Sequence, residues 1–434
     1  MDIYNFISFI GLFILIFVAW ALSAHRSRFN ARCVIWGTVA QLAFGAVIFL
    51  VPAGSRVLLK LSDLFVKVLG ASRAGAEFCF GPLAIPPGEA GSIGFILVTQ
   101  ALPTIIFFAS LMQILYFLKI MPFIIRLFAR FFTKVMGVSG AEALCTSANI
   151  FVGIESNTTV LPYLNNMTRS EICTVITGGL ATIASSVLGL YVMLLHGHFP
   201  AIAGHLMSAS ILGAPAALVM SKLLLPETEQ PETLGRMVEP HYEHESNIVE
   251  AAINGATAGG KLVMGVIVML MAFIGLVALV NLGLDGIAGW LNHWTGAHLN
   301  LRLENMLAYV YYPFALIIGV PPADAFEVAR LLGTRTILTE IPAYQQLDAL
   351  ISSGALHHGR SAVLASYALC GFAHIPSIAI FVGGTAALAP KQTKTLAQVA
   401  LRALVAATLA CLMMAAIAGV FYGRGLLVLN LVQP

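Results

Sequence analysis

The stretch "NIFVGIESNTTVLPYL", residues 149–164, decides how the rest of the chain has to fold. It carries the carboxylate of Glu155 among amide and hydroxyl side chains, and Gly153 and Pro162 interrupt it. The surrounding chain is very apolar: 59% of the 434 residues are hydrophobic and 10% are charged, against about 25% charged in soluble proteins. A broken polar segment is tolerated within a membrane only where it is buried in protein or lines a wet cavity. The stretch therefore predicts a polar cavity inside a multi-pass membrane protein.

Composition and motifs exclude several classes of function. The net charge of +3 gives no indication of nucleic-acid binding. The six cysteines are widely separated and show no C-x-x-C spacing, so neither a zinc site nor a disulfide framework is indicated. Walker A, GxGxxG, GxSxG and HExxH motifs are absent, so we predict that the protein is not an enzyme or an ATP-driven pump. We interpret residues 5–23 as a retained helix and not as a cleaved signal.

Apolar runs of about 20 residues, the length of a membrane-spanning helix, occur eight times. Lys and Arg in the short loops predict that both termini lie outside, and the polar connector 223–250 is then cytoplasmic. Residues 52–75 are basic and apolar at helical spacing, which predicts an amphipathic helix on the membrane surface. The eight predicted crossings are 5–23, 34–52, 93–118, 170–196, 203–222, 258–283, 361–389 and 395–422.

Two apolar segments are too interrupted by Gly and Pro to span simply, residues 138–166 and 304–352. Each is followed by two good spans, and the single crossing 258–283 lies between the two copies. The second copy therefore enters from the opposite side, which indicates an inverted repeat whose broken segments are re-entrant hairpins. The predicted parts are N-terminal scaffold and interfacial helices (1–137), first repeat (138–222), connector with scaffold helix (223–303) and second repeat (304–434).

In each repeat the helix after the hairpin is itself interrupted. The two helices read "TGGLATIASSVLG", residues 177–189, and "YALCGFAHIPSIAIFVGG", residues 367–384. Breaks at these positions free backbone carbonyls and amides to act as ligands. We expect the two breaks and the two hairpin tips to converge near the middle of the bilayer and to form a wet pocket.

Each hairpin contains a carboxylate, Glu155 in the first and Glu340 in the second. A carboxylate inside a membrane costs about 2.5 kcal/mol or more on insertion scales, so it needs a partner or a purpose. Each acid could accept hydrogen bonds from a polar, uncharged solute, or could be a structural lock, for example Glu340 with Arg335. The occurrence of an acid in both repeats favours function.

Three further polar positions have two interpretations each. Asn149 and the Thr182–Ile183 backbone could supply oxygens to a small hard cation, or Asn149 could simply cap a broken helix. His374 could donate to a sugar hydroxyl or titrate near neutral pH, although a single His in an apolar helix is more often a packed, hydrogen-bonded residue.

Several stretches in order resemble the concentrative nucleoside transporter family over nearly the whole chain. The most specific are "TGGLATIASSVLG" and "APAALVMSKLLLPETE", and they are accompanied by "SANIFVG", "GTRTILTEIPAY" and "GFAHIPS". The resemblance implies an all-α homotrimer in the bacterial inner membrane. Each subunit would have eight transmembrane helices and two re-entrant hairpins in an inverted repeat. It also implies an elevator-like movement driven by a sodium or proton gradient.

The resemblance also implies roles for individual residues. Glu155 matches a family Glu that faces the base, but the Gln–Thr pair before it is lost through a one-residue deletion. Glu340 is kept as the acceptor of sugar hydroxyls, and His374 replaces a ribose-binding Asn. The implied substrate-binding residues are Glu155, Ser156, Glu340, Phe372, His374 and Ser377. The implied sodium ligands are the side chains of Asn149 and Thr182 and the carbonyls of Val152 and Ile183.

The sequence thus predicts sodium-coupled import of nucleosides, with sodium as the only cofactor. The expected partners are a nucleoside or related solute, membrane lipid and identical subunits, with no nucleic acid. Three alternatives remain open: proton coupling through His374 or Glu155, transport of a nucleobase or modified nucleoside, and a nucleoside receptor that does not transport.

Overall fold

A computed structural model describes residues 2–86, 89–241, 245–296 and 300–423. All regular secondary structure in these residues is helical, and no β-strand occurs among them. The helices before the first hairpin are α1 (Ile3–Ala21), α2 (Ala31–Phe49), α3 (Pro52–Phe80), α4 (Pro103–Phe117, preceded by a π-helical turn) and α5 (Ile120–Met136).

The two repeats follow the same order of elements. The first consists of α6 (Gly140–Ala148), a 3-10 turn (Ile154–Val160), α7 (Leu161–Leu164), α8 (Arg169–Ala181), α9 (Ser185–Leu195) and α10 (Ile202–Leu224). Between the repeats lie α11 (Ile248–Thr295) and α12 (Leu303–Ile317). The second repeat consists of α13 (Pro322–Ile337), α14 (Glu340–Ser352), α15 (Gly359–Leu369), α16 (Ile375–Leu388) and α17 (Thr393–Phe421).

Seven helical stretches within the described ranges are long and apolar enough to cross a membrane. They coincide with seven of the eight predicted crossings. The eighth, 361–389, is interrupted as its sequence predicts, because residues 370–374 divide it into α15 and α16, of 11 and 14 residues. The predicted surface helix at 52–75 is α3, which extends to Phe80 and exposes five large apolar side chains, Val57, Leu61, Leu64, Phe78 and Phe80.

The segment 304–352 is not a single hairpin. Its first part is the separate helix α12, and α13 with α14 forms the hairpin. Gly319, at φ +92°, reverses the chain after α12, and Pro322 then starts α13 at its first position, where a missing amide hydrogen costs nothing. The first repeat has the same arrangement, since Gly137, at φ +69°, ends α5 before α6 begins.

The core of the molecule is centred on α17, which packs against α1, α8, α10 and α15. In the most apolar part of the stretch Pro390–Phe421, which contains α17, 94% of the residues are buried. In the most apolar part of α11 only 6% are buried. At 1.5 Å per residue, the 48-residue α11 is about 72 Å long, far more than a bilayer core. It packs mainly on α4, so most of its surface makes no contact with the rest of the described chain.

A buried ionic cluster ties the first hairpin to α8 and α10. The Nζ atom of Lys222 lies 2.7 Å from Glu142 Oε2 and donates to Ser170 Oγ at 2.9 Å. Glu142 and Glu171 each complete a capping box, at the starts of α6 and α8. The Ser139 hydroxyl donates to Glu171 and so joins the two boxes. Because uncompensated buried charges are costly, this cluster holds the start of α6 against α8 and α10.

Candidate binding site

The two broken helices touch at their breaks. Gly371, in the break between α15 and α16, has a φ of +138°. A Cβ atom there would lie 2.8 Å from Cys411 Sγ and 3.0 Å from the carbonyl of Ala181, the last residue of α8. Cys411 also donates to the Cys370 carbonyl at 3.1 Å. The first break therefore lies directly against the second, and only glycine fits between them.

Each hairpin tip meets a break. In the first repeat, the Ser185 amide at the start of α9 donates to the Phe151 carbonyl at 2.9 Å. In the second, Glu340, the first residue of α14, reaches His374, the N-cap of α16. Asn157 Nδ2 links the first hairpin to Thr385 of α16 at 2.6 Å. The predicted convergence of the four discontinuities is confirmed.

Glu340 lies at the centre of a buried cluster. Tyr191 of α9 donates its hydroxyl to Glu340 Oε1 at 2.5 Å, and His374 Nε2 lies 2.6 Å from Glu340 Oε2. The Glu340 and His374 side chains are each only 4% exposed. The alternative that Glu340 pairs with Arg335 is wrong: the Arg335 guanidinium donates to the Ala368 carbonyl near the end of α15. Glu340 is therefore held by groups from both broken helices.

The capping geometry sets the tautomer of His374. Its Nδ1 accepts the amide hydrogen of Ser377 at 3.2 Å. A backbone amide can only donate, so Nδ1 carries no proton and the ring proton is on Nε2. The Nε2 atom lies 2.6 Å from Glu340 Oε2 and 3.1 Å from Ser377 Oγ. His374 thus offers one acceptor and one donor, which is the pattern that an Asn amide would offer at the same position.

Glu155 lies in a different environment. It is exposed to a cavity of about 520 Å³, a volume usual for small-molecule sites. The cavity lies between α4 and α11 on one side and the first hairpin and α9 on the other. Its polar lining residues are Gln113, Tyr116, Lys119, Glu155, Thr158, Thr159, Ser186, His241 and Glu245.

The predicted substrate residues therefore form two groups and not one. Glu340, His374 and Ser377 form the closed cluster, while Glu155 lines the cavity. Helix α9 connects the two groups: Ser186 lines the cavity, and Tyr191, about 7.5 Å further along the axis, holds Glu340. The expected single wet pocket with both acids exposed in it is absent from the part of the chain that the structure describes.

Two further predicted substrate residues lie beside these groups. The Phe372 ring is half-buried, with its centroid 6.3 Å from that of His374 and 6.4 Å from that of Phe381. Ser156 is fully buried, and its hydroxyl donates to Asn149 Oδ1 at 2.9 Å. Ser156 consequently contacts a predicted sodium ligand and does not line the cavity.

The four predicted sodium ligands come from the first hairpin tip and the first break. Asn149 and Thr182 both lie at Gly178: a Cβ there would be 3.3 Å from Asn149 Nδ2, and the Thr182 hydroxyl donates to the Gly178 carbonyl at 2.8 Å. Ile183, like Asn149 and Thr182, is buried, whereas Val152 lines the cavity. Neutral side-chain oxygens and unwound carbonyls are the donors that hold sodium in broken-helix transporters. Among the described residues, no cluster of three or more His, Cys, Asp or Glu side chains fits a metal ion.

Tyr191 and Lys222 were not identified from the sequence. Tyr191 carries a hydroxyl group within the otherwise apolar helical run "VLGLYVMLL". A buried tyrosine hydroxyl usually has a hydrogen-bond partner, and this was the feature by which the residue could have been identified. Lys222 was visible as a lysine at the end of a predicted span. Its partner Glu142 lies 80 residues earlier, and nothing in the local pattern connects the two.

Three family models together match most of the chain. Residues 10–83 match the model described as "Na+ dependent nucleoside transporter N-terminus". Residues 98–197 match "Nucleoside recognition", and residues 205–419 match "Na+ dependent nucleoside transporter C-terminus". The middle match covers α4 to α9, which contain the first hairpin and the first break.

Several relatives and solved structures are similar to this chain over nearly its whole length. An uncharacterised transporter of Haemophilus influenzae is 36% identical over 96% of this chain and 98% of its own length. The nucleoside permease NupC of Helicobacter pylori is 34% identical over 96% and 97%. Solute carrier family 28 member 3 of Mus musculus is 36% identical over 96% of this chain but only 59% of its own. The structure of CNTnw in an inward-facing substrate-bound state has a TM-score of 0.86 and 35% identity, covering 97% of this chain and 98% of CNTnw.

Proposed function

The chain belongs to the concentrative nucleoside transporter family, and from that membership we propose that it imports nucleosides across the bacterial inner membrane, coupled to sodium. The observation that carries the proposal is the buried Glu340–Tyr191–His374 cluster at the junction of both repeats, next to a cavity of suitable volume. A solute bound there would be enclosed by elements that enter from both sides of the membrane.

We assign the sugar end of the substrate to Glu340, His374, Ser377 and Phe372. When a ribose enters, its hydroxyls would donate to Glu340 in place of Tyr191 and accept from His374 Nε2–H. Because the Tyr191 hydroxyl donates to Glu340 Oε1 and His374 Nε2 lies 2.6 Å from Oε2, an entering hydroxyl would replace an existing polar contact and spare the carboxylate an uncompensated burial. Glu155 in the cavity would then meet the base. Ser156 would act on the substrate only indirectly, through Asn149.

Sodium would be held by Asn149, Val152, Thr182 and Ile183. Bound there, the ion would tie the first hairpin tip to the break between α8 and α9, and so support the wall that carries Glu155 and Ser186. The family also supports a homotrimer in which α11 contributes to the scaffold and the two hairpins move as an elevator with the broken helices.

Uptake of radiolabelled nucleosides into proteoliposomes tests this proposal. We expect accumulation above the external concentration with an inward sodium gradient, and none with choline in place of sodium. Glu340→Gln should reduce uptake at least ten-fold, because one of the two oxygens that accept from sugar hydroxyls is replaced by an amide group that only donates. Glu327→Gln, at a partly exposed ion pair with Arg330 in the same hairpin, should have no effect. Solute that only equilibrates, with or without sodium, would reject coupled transport.

Proton coupling is a second candidate, because His374 and Glu340 share a proton-bearing contact of 2.6 Å inside the site. In that case uptake would proceed without sodium, would follow an inward proton gradient, and would decline as the external pH is raised. Thr182→Val separates the two candidates, since it removes a proposed sodium ligand and leaves the His374–Glu340 contact intact.

A further inference from the structure

The base end of the cavity has a distinctive arrangement of acceptors and donors. Gly153 brings the Glu155 carboxylate to the start of α9: a Cβ at Gly153 would lie 3.5 Å from Glu155 Oε2 and 3.3 Å from Ala184 Cβ. Ala184 is the N-cap of α9. The carboxylate therefore lies close to a helix N-terminus, where negative charge is favoured.

Ser186 supplies the donors at this helix end. Amides in the first turn of a helix have no carbonyl partner within the helix. The Ser185 amide is used by the Phe151 carbonyl, and the Val187 amide by the Ala184 carbonyl. The amide and hydroxyl of Ser186, which lines the cavity, make no hydrogen bond with any other described residue. Donors at Ser186 thus line the same cavity as the two acceptor oxygens of Glu155.

A third polar group comes from α4. The Tyr116 hydroxyl is buried and finds no hydrogen-bond partner among the described residues, although its residue lines the same cavity. A buried hydroxyl without a partner is costly, so a ligand atom that reached it would gain a favourable hydrogen bond. The base end of the cavity is therefore lined by donors at Ser186, by the Glu155 carboxylate and by Tyr116.

We propose that this site selects 6-oxopurine nucleosides, guanosine above all and inosine next; the inference rests on the proposed nucleoside transport. The Watson–Crick edge of guanine presents an acceptor, O6, followed by two donors, N1–H and the 2-amino group. A Ser186 donor can bind O6, and the two oxygens of Glu155 can accept N1–H and the amine. Hypoxanthine keeps O6 and N1–H but loses the amine.

The other bases place a lone pair against the carboxylate. Adenine offers its 6-amino group but then the N1 lone pair, and cytosine offers its 4-amino group followed by N3 and O2. Uracil has a carbonyl and an N3–H, but its O2 would face the second oxygen of Glu155. A base acceptor that covers the Glu155 carboxylate is unfavourable, because neither group can recover the hydrogen bond it gave up to water.

Competition and thermal-shift measurements test the ranking. We expect unlabelled guanosine and inosine to inhibit uptake of radiolabelled guanosine at concentrations at least ten-fold lower than adenosine, uridine or cytidine. The same order should appear in stabilisation of the detergent-purified protein. Glu155→Gln replaces one acceptor by a donor, so it should weaken guanosine at least ten-fold and bring uridine level with it. Glu239→Gln, an exposed acid paired with Arg126, should leave the ranking unchanged.

The failures are distinguishable. If nucleosides are transported but a pyrimidine competes as well as guanosine, the base assignment is wrong and nucleoside transport stands. The same holds if Glu155→Gln keeps the wild-type ranking. If no nucleoside is taken up or stabilises the protein, the proposed function fails and this inference fails with it. Should Glu155→Gln not fold, the wild-type ranking alone decides between these outcomes.

Discussion

At the scale of single residues, the informative feature is that one side chain performs two tasks. His374 caps α16 through Nδ1 and contacts Glu340 through Nε2. An N-cap contributes about 1 kcal/mol, and losing a partner of a buried carboxylate costs about 1–3 kcal/mol. Both contributions depend on the tautomer, which the Ser377 amide determines. A residue at this position must therefore accept from the helix and donate to Glu340 at the same time.

This requirement predicts different outcomes for two substitutions of His374. His374→Asn keeps an acceptor and a donor, so we expect substrate KM and uptake within about three-fold of wild type. His374→Leu removes both, so uptake should fall at least ten-fold, and unfolding should be easier by about 2–4 kcal/mol, the sum of the two contributions above. Uptake kinetics and thermal unfolding in detergent measure the two effects. Equal losses in both variants would show that the imidazole itself is needed, and would contradict the amide-like role.

At the scale of elements, the decisive feature is the contact between the two breaks. Gly371 lies against Ala181 and Cys411 at a φ of +138°, which is outside the range of other residues. Thr182 ends α8 in an extended conformation, and its hydroxyl bonds back to the Gly178 carbonyl. The breaks are thus built from different chemistry in each repeat, glycine and proline in the second and a threonine turn in the first.

Gly371→Ala should therefore be severely destabilising. The added methyl would require a strained backbone, at about 1–3 kcal/mol, and would also press on Cys411 and on the end of α8. Gly383→Ala, in the interior of α16 with no heavy atom within 4 Å of its added Cβ, is the matched control. It should be neutral or stabilise by up to about 1 kcal/mol. Thermal unfolding of the purified variants measures both, and a Gly371→Ala protein as stable as the control would contradict the contact.

The same contacts show what the sequence could and could not predict. Hydropathy located seven crossings and both hairpins, because each long apolar run must be buried or face lipid. It merged α12 with the second hairpin, since the divider at Gly319–Pro322 is short and both sides are apolar. The cost of a carboxylate in a membrane identified Glu340, and the break at Pro376 and Ser377 indicated His374. Neither pattern indicated the contact of Glu340 with Tyr191. That contact joins α9 to α14 across 149 positions, and sequence spacing carries no information about it.

At the scale of the whole molecule, α4 contacts two groups of elements. We call α4 and α11 the frame, and α9 belongs to the inner body, which carries the broken helices. Helices α4 and α11 pack closely, with Gly255 against Ala109 and Ser110, and Gly259 against Ile106. The broken helix α9 contacts α4 where Gly189 lies against Phe108: a Cβ at Gly189 would lie 2.9 Å from the ring. The first contact joins two parts of the frame. The second joins the frame to the elements that carry Tyr191 and Ser186, and an elevator would have to slide along it.

Cross-linking distinguishes these two interfaces. In a Cys79→Ser background, which removes a cysteine that is exposed, the pair Phe108→Cys and Gly189→Cys should be joined by a short bifunctional reagent. Because this bridge fixes α9 to the frame, we expect it to abolish uptake while nucleoside binding, measured by thermal shift, persists. The pair Ser110→Cys and Ala252→Cys joins α4 to α11 within the frame, where the Ser110 hydroxyl donates to the Ala252 carbonyl at 2.9 Å, so its bridge should leave uptake intact. Continued uptake by the first bridged protein would mean that solute crosses without movement along α4.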